Sequence, residues 1–269
     1  MSLRKRLVVK PGTKAGLARR DPGRTPGLKG KRASVEQLEA STARLAELQY
    51  LLYAEAKHAV LVVFQALDAG GKDGTIRHVM SGLNPQGCRV TSFKVPSAEE
   101  ARHDFLWRIH KAIPQKGEVG IFNRSHYEDV LVVRVHRLVP EEVWSRRYEQ
   151  INAFEKQLAE NGTTILKFFL QISKREQKKR FEERLNDPTK NWKLSEADFK
   201  ERDYWDGYQK AYEDAITRCS TPWAPWYVIP ADHKWFRNVA VSEILVETLE
   251  KLDMRFPAPS IDVSHIRIR

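Results

Sequence analysis

Two short segments concentrate residues able to act on phosphoryl groups. In Ala66-Leu67-Asp68-Ala69-Gly70-Gly71-Lys72-Asp73-Gly74 a lysine follows a glycine pair, with an apolar run before it and a helical pattern after it. Such a loop aims main-chain N–H groups and a helix N-terminus at an anion, and Lys72 adds a point charge. Ala69, Gly70, Gly71, Asp73 and Gly74 are therefore candidate phosphate contacts. The segment departs from G-x-x-x-x-G-K-[ST] twice, with Ala66 for the first glycine and Asp73 for the hydroxyl residue. Without that hydroxyl a magnesium ion needs other ligands, and Asp68 is the nearest candidate. In the plainer reading, Gly70-Gly71 only turns the chain and Lys72 is solvated.

The second segment, Asn123-Arg124-Ser125-His126-Tyr127-Glu128-Asp129, follows another apolar run. Asp129 is the second candidate metal ligand. The planar fork of Arg124 suits phosphate oxygens. The alternative is a surface cluster of ion pairs among Arg124, Glu128 and Asp129. A third stretch, residues 173–193, holds eight Lys and Arg against four acids. There Arg180 and Arg184 share a helix face, and a turn leads to Lys190 and Lys193. A lid closing cations over phosphates competes with an exposed face of local pairs such as Glu176 with Arg180.

Strands must carry these segments. Apolar runs at 59–64, 89–94, 117–122, 163–172 and 226–230 predict five of them, and apolar spacing predicts helices over 34–57, 98–113 and 141–161. Alternating strands and helices imply an α/β fold, a parallel sheet with helices on both faces, whose ligands gather at the carboxyl ends of the strands. The expected organisation is a basic, flexible arm over 1–33, one domain over 34–256 with a lid at about 173–210, and a tail over 257–269.

Composition narrows the classes. The chain has 269 residues, a net charge of +11 and no apolar run long enough to span a membrane, so a cytoplasmic protein is expected. Its two cysteines, Cys88 and Cys219, read as reduced packing residues, and its eight histidines show no zinc-ligand spacing. Residues 1–33 contain eleven Lys and Arg against Asp21 alone, so nearly all the excess charge lies in the arm. Such an arm is either solvated or in contact with a polyanion, whether nucleic acid or a long phosphate chain.

Together the segments ALDAGGKDG (66–74), FNRSHYEDVL (122–131), KRFEERLNDPTKNWK (179–193) and APWYVIPADHKW (224–235) resemble the polyphosphate kinase 2 family. Ala66 and Asp73 belong to that family's form of the loop, and Tyr127-Glu128-Asp129 resembles its class III subgroup. The resemblance covers about residues 45–252. It implies a P-loop kinase-like fold and transfer of the terminal phosphoryl group of inorganic polyphosphate to AMP and ADP, with GMP and GDP as further acceptors. It further implies Asp68 and Asp129 as magnesium-linked acids, with manganese a substitute, and Lys72 and Arg124 as phosphate stabilisers. Asn123 and Glu128 fall among the nucleotide contacts, Glu128 helping to place AMP, and the lid contacts come from Arg180, Arg184, Lys190 and Lys193. A homo-oligomer, a tetramer in particular, is implied as well. An ATP-dependent nucleotide or nucleoside kinase is the competing enzyme. A nucleic-acid-binding protein acting through the arm is the competing class, and nucleic acid is not the expected partner.

Overall fold

The computed structural model describes residues 1–28 and 30–267. Five strands, β1 (Ala59–Gln65), β2 (Cys88–Ser92), β3 (Val119–Asn123), β4 (Thr163–Gln171) and β5 (Trp226–Pro230), form one parallel sheet in the order β2-β3-β1-β4-β5. The central strands β1 and β4 are buried almost end to end, which explains their continuous apolar runs. Alternation along each strand divides the core. Leu61, Val63, Phe122 and Phe169 face one side, and Val62, Phe64, Ile121 and Phe168 the other.

Helices cover both faces. In chain order they are α1 (Leu3–Leu7), α2 (Lys31–Glu55), α3 (Lys72–Val79), α4 (Trp107–His110), α5 (Val132–Val135), α6 (Glu141–Trp144), α7 (Arg147–Glu160), α8 (Lys174–Leu185), α9 (Glu196–Lys200), α10 (Trp205–Cys219) and α11 (Lys234–Glu250). Helices α7 and α10 pack on one face; α2 and α11 pack on the other. Among the described residues no helix is long and apolar enough to cross a membrane.

The chain leaves β1 toward β2 and leaves β3 toward β4, on opposite sides of the sheet. The carboxyl ends of β1 and β3, which are neighbours, therefore bound the crevice where an open sheet of this type takes its ligand.

Three expectations are corrected. Residues 98–113 do not form one helix but a 3₁₀ turn at Glu100–Arg102 and the short α4. Asp104 Oδ1 accepts the Leu106 N–H at 2.9 Å, and His103 stacks on Trp107 at 4.0 Å, so the segment folds on itself instead of propagating. The predicted helix over 141–161 is α6 followed by α7. The arm is not a loose extension. Leu3, Leu7, Val9, Ala15 and Leu17 are buried, Val9 N–H donates to Trp226 C=O at 2.9 Å, and Glu213 accepts the N–H groups of Gly16 and Leu17 at 2.8 and 2.7 Å.

Candidate active site

The loop after β1 is shaped by two positions. Gly71 has φ +100°, in the left-handed region, and Ala69 joins it at φ +58°. At Gly70 an added Cβ would lie 2.5 Å from Ala66 Cβ and 2.7 Å from Leu67 C=O, so only glycine lets the loop close that tightly. Its last turn runs into α3, whose first residue is Lys72. Lys72 is buried, and its Nζ donates to Ala66 C=O at 2.9 Å, across the mouth of its own loop. Burial, with Arg124 nearby, pulls the Lys72 ammonium below the ordinary lysine value, against Asp68 and Glu128.

The turn after β3 supplies the facing wall. Arg124 adopts φ +64° while its N–H holds Phe64 C=O at 3.1 Å, so the backbone twists at the crevice and the guanidinium turns toward β1. It donates to Asp68 Oδ1 at 3.0 Å and lies 3.7 Å from Glu128 Oε2. Burial opposes its charge, but Glu128 and Asp68 more than offset that and hold its pKa above the ordinary value. Burial raises the Glu128 carboxyl, against the pull of Arg124 and Lys72 and a hydrogen bond with Gln65. Asp68, Lys72, Arg124 and Glu128 thus form one coupled set of two acids and two cations.

Asp129 faces elsewhere. Arg147 Nη1 donates to its Oδ1 at 2.9 Å and its C=O at 3.1 Å, and burial lifts its carboxyl to about 6 despite that arginine. The structure brings Glu128, not Asp129, to Asp68, because residues 126–129 form a 3₁₀ turn in which consecutive side chains diverge. Asn123 Nδ2 donates to Asp73 Oδ1 at 2.6 Å, tying the end of β3 to the first turn of α3.

Arg180 also differs from its expected place over the phosphates. It is 5% exposed, pairs with Glu176 at 2.8 Å, and donates to the main-chain carbonyls of Ala69, Gly70, Ala231 and Asp232 at 2.5 to 3.2 Å. It braces the loop from behind. Arg184 lies half-buried beside Phe181, Lys190 pairs with Asp187 at 2.5 Å, and Lys193 sits over the Trp192 ring. Among the described residues no hydrogen bond or ion pair joins these three side chains to the loop or to the turn after β3.

Several participants escaped the sequence reading. Gln177 donates to Asp68 C=O at 2.8 Å and accepts from Arg202 at 2.7 Å, linking α8 to the loop. Arg237 of α11, 3% exposed, occupies the space a Cβ at Gly71 would need, and the only hydrogen-bond acceptor of its guanidinium among the described residues is Asn238 Oδ1. Beneath the turn, Lys167 of β4 donates to Tyr127 Oη at 2.8 Å, Glu155 at 2.5 Å and Cys219 C=O at 2.7 Å, all fully buried. Glu155 also takes the Tyr127 hydroxyl at 2.9 Å and lies 3.1 Å from His126 Nε2. A lone lysine within the apolar β4 run was the one available signal.

In front of these groups lies a cavity of about 320 Å³ where Asp68, Arg124 and Glu128 meet Trp205, Tyr208 and Tyr212. Charged groups at one end and rings at the other suit a small ligand with an anionic head and a flat body. Among the described residues no group of three His, Cys, Asp or Glu could hold a metal alone. Two hard carboxylates beside an anion cradle do fit magnesium, which takes one or two carboxylates together with water and phosphate oxygens.

Known proteins match this arrangement. The sequence model described as "Polyphosphate kinase 2" matches residues 29–257. The chain is 57% identical over 256 residues to the AMP/ADP-polyphosphate phosphotransferase of Meiothermus ruber, covering 95% of this chain and 96% of that one. It is 48% identical over 265 residues to the ADP-polyphosphate phosphotransferase of Rhodopseudomonas palustris, covering 94% and 92%. The crystal structure of polyphosphate kinase 2 from Arthrobacter aurescens superposes with a TM-score of 0.95 at 46% identity, covering 98% of this chain and 94% of that one.

Proposed function

The chain belongs to the polyphosphate kinase 2 family, and from that premise we propose that it transfers the terminal phosphoryl group of inorganic polyphosphate to AMP and to ADP, yielding ADP and ATP. The observation that carries the reading is the Asp68–Arg124–Glu128 set facing Lys72 at the β1/β3 crevice. One phosphate chain lies along the loop's N–H groups and the start of α3. The acceptor enters the 320 Å³ cavity, its base against Trp205, Tyr208 and Tyr212 and its phosphate toward Arg124.

The attacking atom is already an anionic phosphate oxygen, so no general base is needed. The barrier is the approach of two polyanions, and it is lowered by alignment and by cations fixed before reaction. Lys72 exchanges its Ala66 carbonyl for a phosphate oxygen, whose negative charge favours the ammonium that burial disfavours. Arg124 neutralises the transferring group while its own carboxylates keep it oriented. Magnesium would supply further charge neutralisation when bound, with Asp68 and Glu128 the carboxylates that would hold it alongside the substrate phosphates. Asn123, Asp73 and Arg180 keep the loop and turn in register without touching substrate. Arg184, Lys190 and Lys193 serve as cations of a lid, and GMP and GDP are accepted in the same cavity.

A homo-oligomer belongs to the same proposal, supported by the exposed rings of Tyr50, Tyr53 and Phe256 along the outer side of α2. Incubating the protein with polyphosphate, magnesium and either AMP or ADP, without ATP, tests the function. ADP and ATP are expected, and conversion that requires an ATP donor would defeat the reading.

A further inference from the structure

The family match begins at residue 29, so most of the basic arm, with eight of its eleven Lys and Arg, lies ahead of it. That segment is built into the fold. Pro22 C=O accepts the Asp232 N–H at 3.2 Å just past β5, and Gln171, the last residue of β4, donates to Leu17 C=O at 3.0 Å. Residues 17–24 are thereby fixed at the carboxyl ends of the strands, the same end of the sheet as the loop.

Lys5, Arg6, Arg19, Arg20 and Arg24 of this segment line a groove of about 920 Å³ in which Asp21 is the one acid. Asp21 Oδ1 is engaged by the Gly23 N–H at 2.8 Å. None of the five cations has a carboxylate within ion-pair distance among the described residues, whereas Arg4, on the same short helix, pairs with Glu247. Arg19 and Gln171 also line a second groove, of about 870 Å³, which contains Lys14, Arg134 and Lys210. Its acids Glu213 and Asp214 are occupied, by the Gly16 and Leu17 N–H groups and by Arg134, leaving Asp206. Trp205 in turn lines both this groove and the cavity holding Asp68 and Arg124. The three concavities thus adjoin in series, each neighbouring pair sharing a lining residue.

We propose that the N-terminal segment forms an anion track that holds a distal stretch of a long inorganic polyphosphate chain while its end reacts at the loop. The proposal rests on the phosphotransfer reading given above. An unbranched polyanion fits the track because it needs charge along its whole length and no base-sized pockets, and the arm supplies cations without a paired carboxylate, although Arg6 and Arg20 each also donate to a main-chain carbonyl, of Met1 at 3.0 Å and of Ala15 at 2.8 Å. Binding of this kind releases counterions, so it weakens with salt in proportion to the phosphates neutralised. A donor of a few phosphates reaches the loop without touching the arm, so the track makes the enzyme selective for long chains.

The test is a combined variant, Lys5→Gln, Arg6→Gln, Arg19→Gln and Arg24→Gln, assayed with polyphosphate of several hundred residues and with tripolyphosphate. With the long donor KM should rise about tenfold at unchanged kcat, and its salt dependence should become shallower. With tripolyphosphate neither constant should move, which also shows that the fold is intact. If the fourfold variant misfolds, Lys5→Gln with Arg24→Gln, both at exposed positions, carries the same comparison. A long-donor KM within twofold of wild type, or an equal rise for both donors, overturns the track and leaves the phosphotransfer reading standing. Titrating long polyphosphate directly onto wild type and variant reads the track even without turnover, so absence of product from both donors defeats the phosphotransfer reading separately. Single-stranded RNA bound by wild type and lost in the variant, with the donor KM unmoved, would give the groove to nucleic acid and overturn the proposal.

Discussion

Arg237→Met should stabilise the folded chain while weakening its grip on phosphate. Arg237 is 3% exposed, has no carboxylate within ion-pair distance among the described residues, and has Arg180 close by. Burial, with the Arg180 charge, lowers its pKa from the ordinary arginine value to about 9. The folded chain therefore binds this proton less tightly than the unfolded chain. The penalty is complete below the folded pKa and fades as pH rises from about 9 toward the ordinary arginine value. At about 1.4 kcal/mol per pH unit, that gap is on the order of 5 kcal/mol at neutral pH. Methionine fills a similar volume without charge but forfeits the Asn238 hydrogen bonds, so a net gain of about 1–3 kcal/mol is expected. The gain carries a cost, because the Arg237 guanidinium lies against Gly71 and adds positive potential behind the loop. Urea denaturation and thermal shift, each with and without tripolyphosphate, read the two effects. Wild type should gain more melting temperature from the ligand than the variant, from a lower starting point. A variant that is less stable than wild type yet responds fully to tripolyphosphate would refute the reasoning.

Lys72→Ala should lower kcat by a factor on the order of a hundred or more, the loss of one preorganised donor, while the circular dichroism spectrum stays unchanged. Glu128→Gln should remove the acid limb of the kcat/KM profile, which in wild type lies above the ordinary glutamate range because burial raises that carboxyl. In that window the folded state takes up the proton more readily than the unfolded state, so stability falls with rising pH as activity climbs. Asp129→Asn should leave the magnesium dependence of the rate where it was, in contrast to Glu128→Gln; equal shifts in both would return Asp129 to the metal. Lys167→Met should cost about 3–5 kcal/mol in urea denaturation by stranding the buried Glu155 carboxylate, and adding Glu155→Leu should recover most of it.

Much of this site was legible because its parts are local. The loop, its lysine and the strand before it are contiguous in sequence, and each strand of the sheet is a run of apolar residues that needs no partner to be recognised. The polar residues after β1 and β3 could be matched for the same reason: strand order alone brings both turns to one crevice. What stayed hidden depends on direction rather than position. Glu128 and Asp129 are adjacent acids of similar chemistry, and only the 3₁₀ turn, started by Ser125 Oγ accepting the Tyr127 N–H at 3.2 Å, sends one to Arg124 and the other to Arg147. Arg180 and Arg184 do share a helix face, yet only the start of α8 touches the loop, through Gln177 and Arg180. Arg180 reaches four carbonyls while Arg184, one turn on, stands clear. The arm misled through its composition. Glycine, proline and lysine suggest mobility, and although Leu3 and Leu7 stand at helical spacing their helix is too short to be read from sequence; they, Val9 and Leu17 bury only because α11, β5 and α10 are there to receive them. Arg237 and Lys167 mark the deepest limit. A cation within an apolar helix or strand signals that something charged or polar surrounds it, and for Lys167 that is Glu155, whereas Arg237 has only the Asn238 amide and the close-packed loop backbone at Gly71, which no sequence pattern marks.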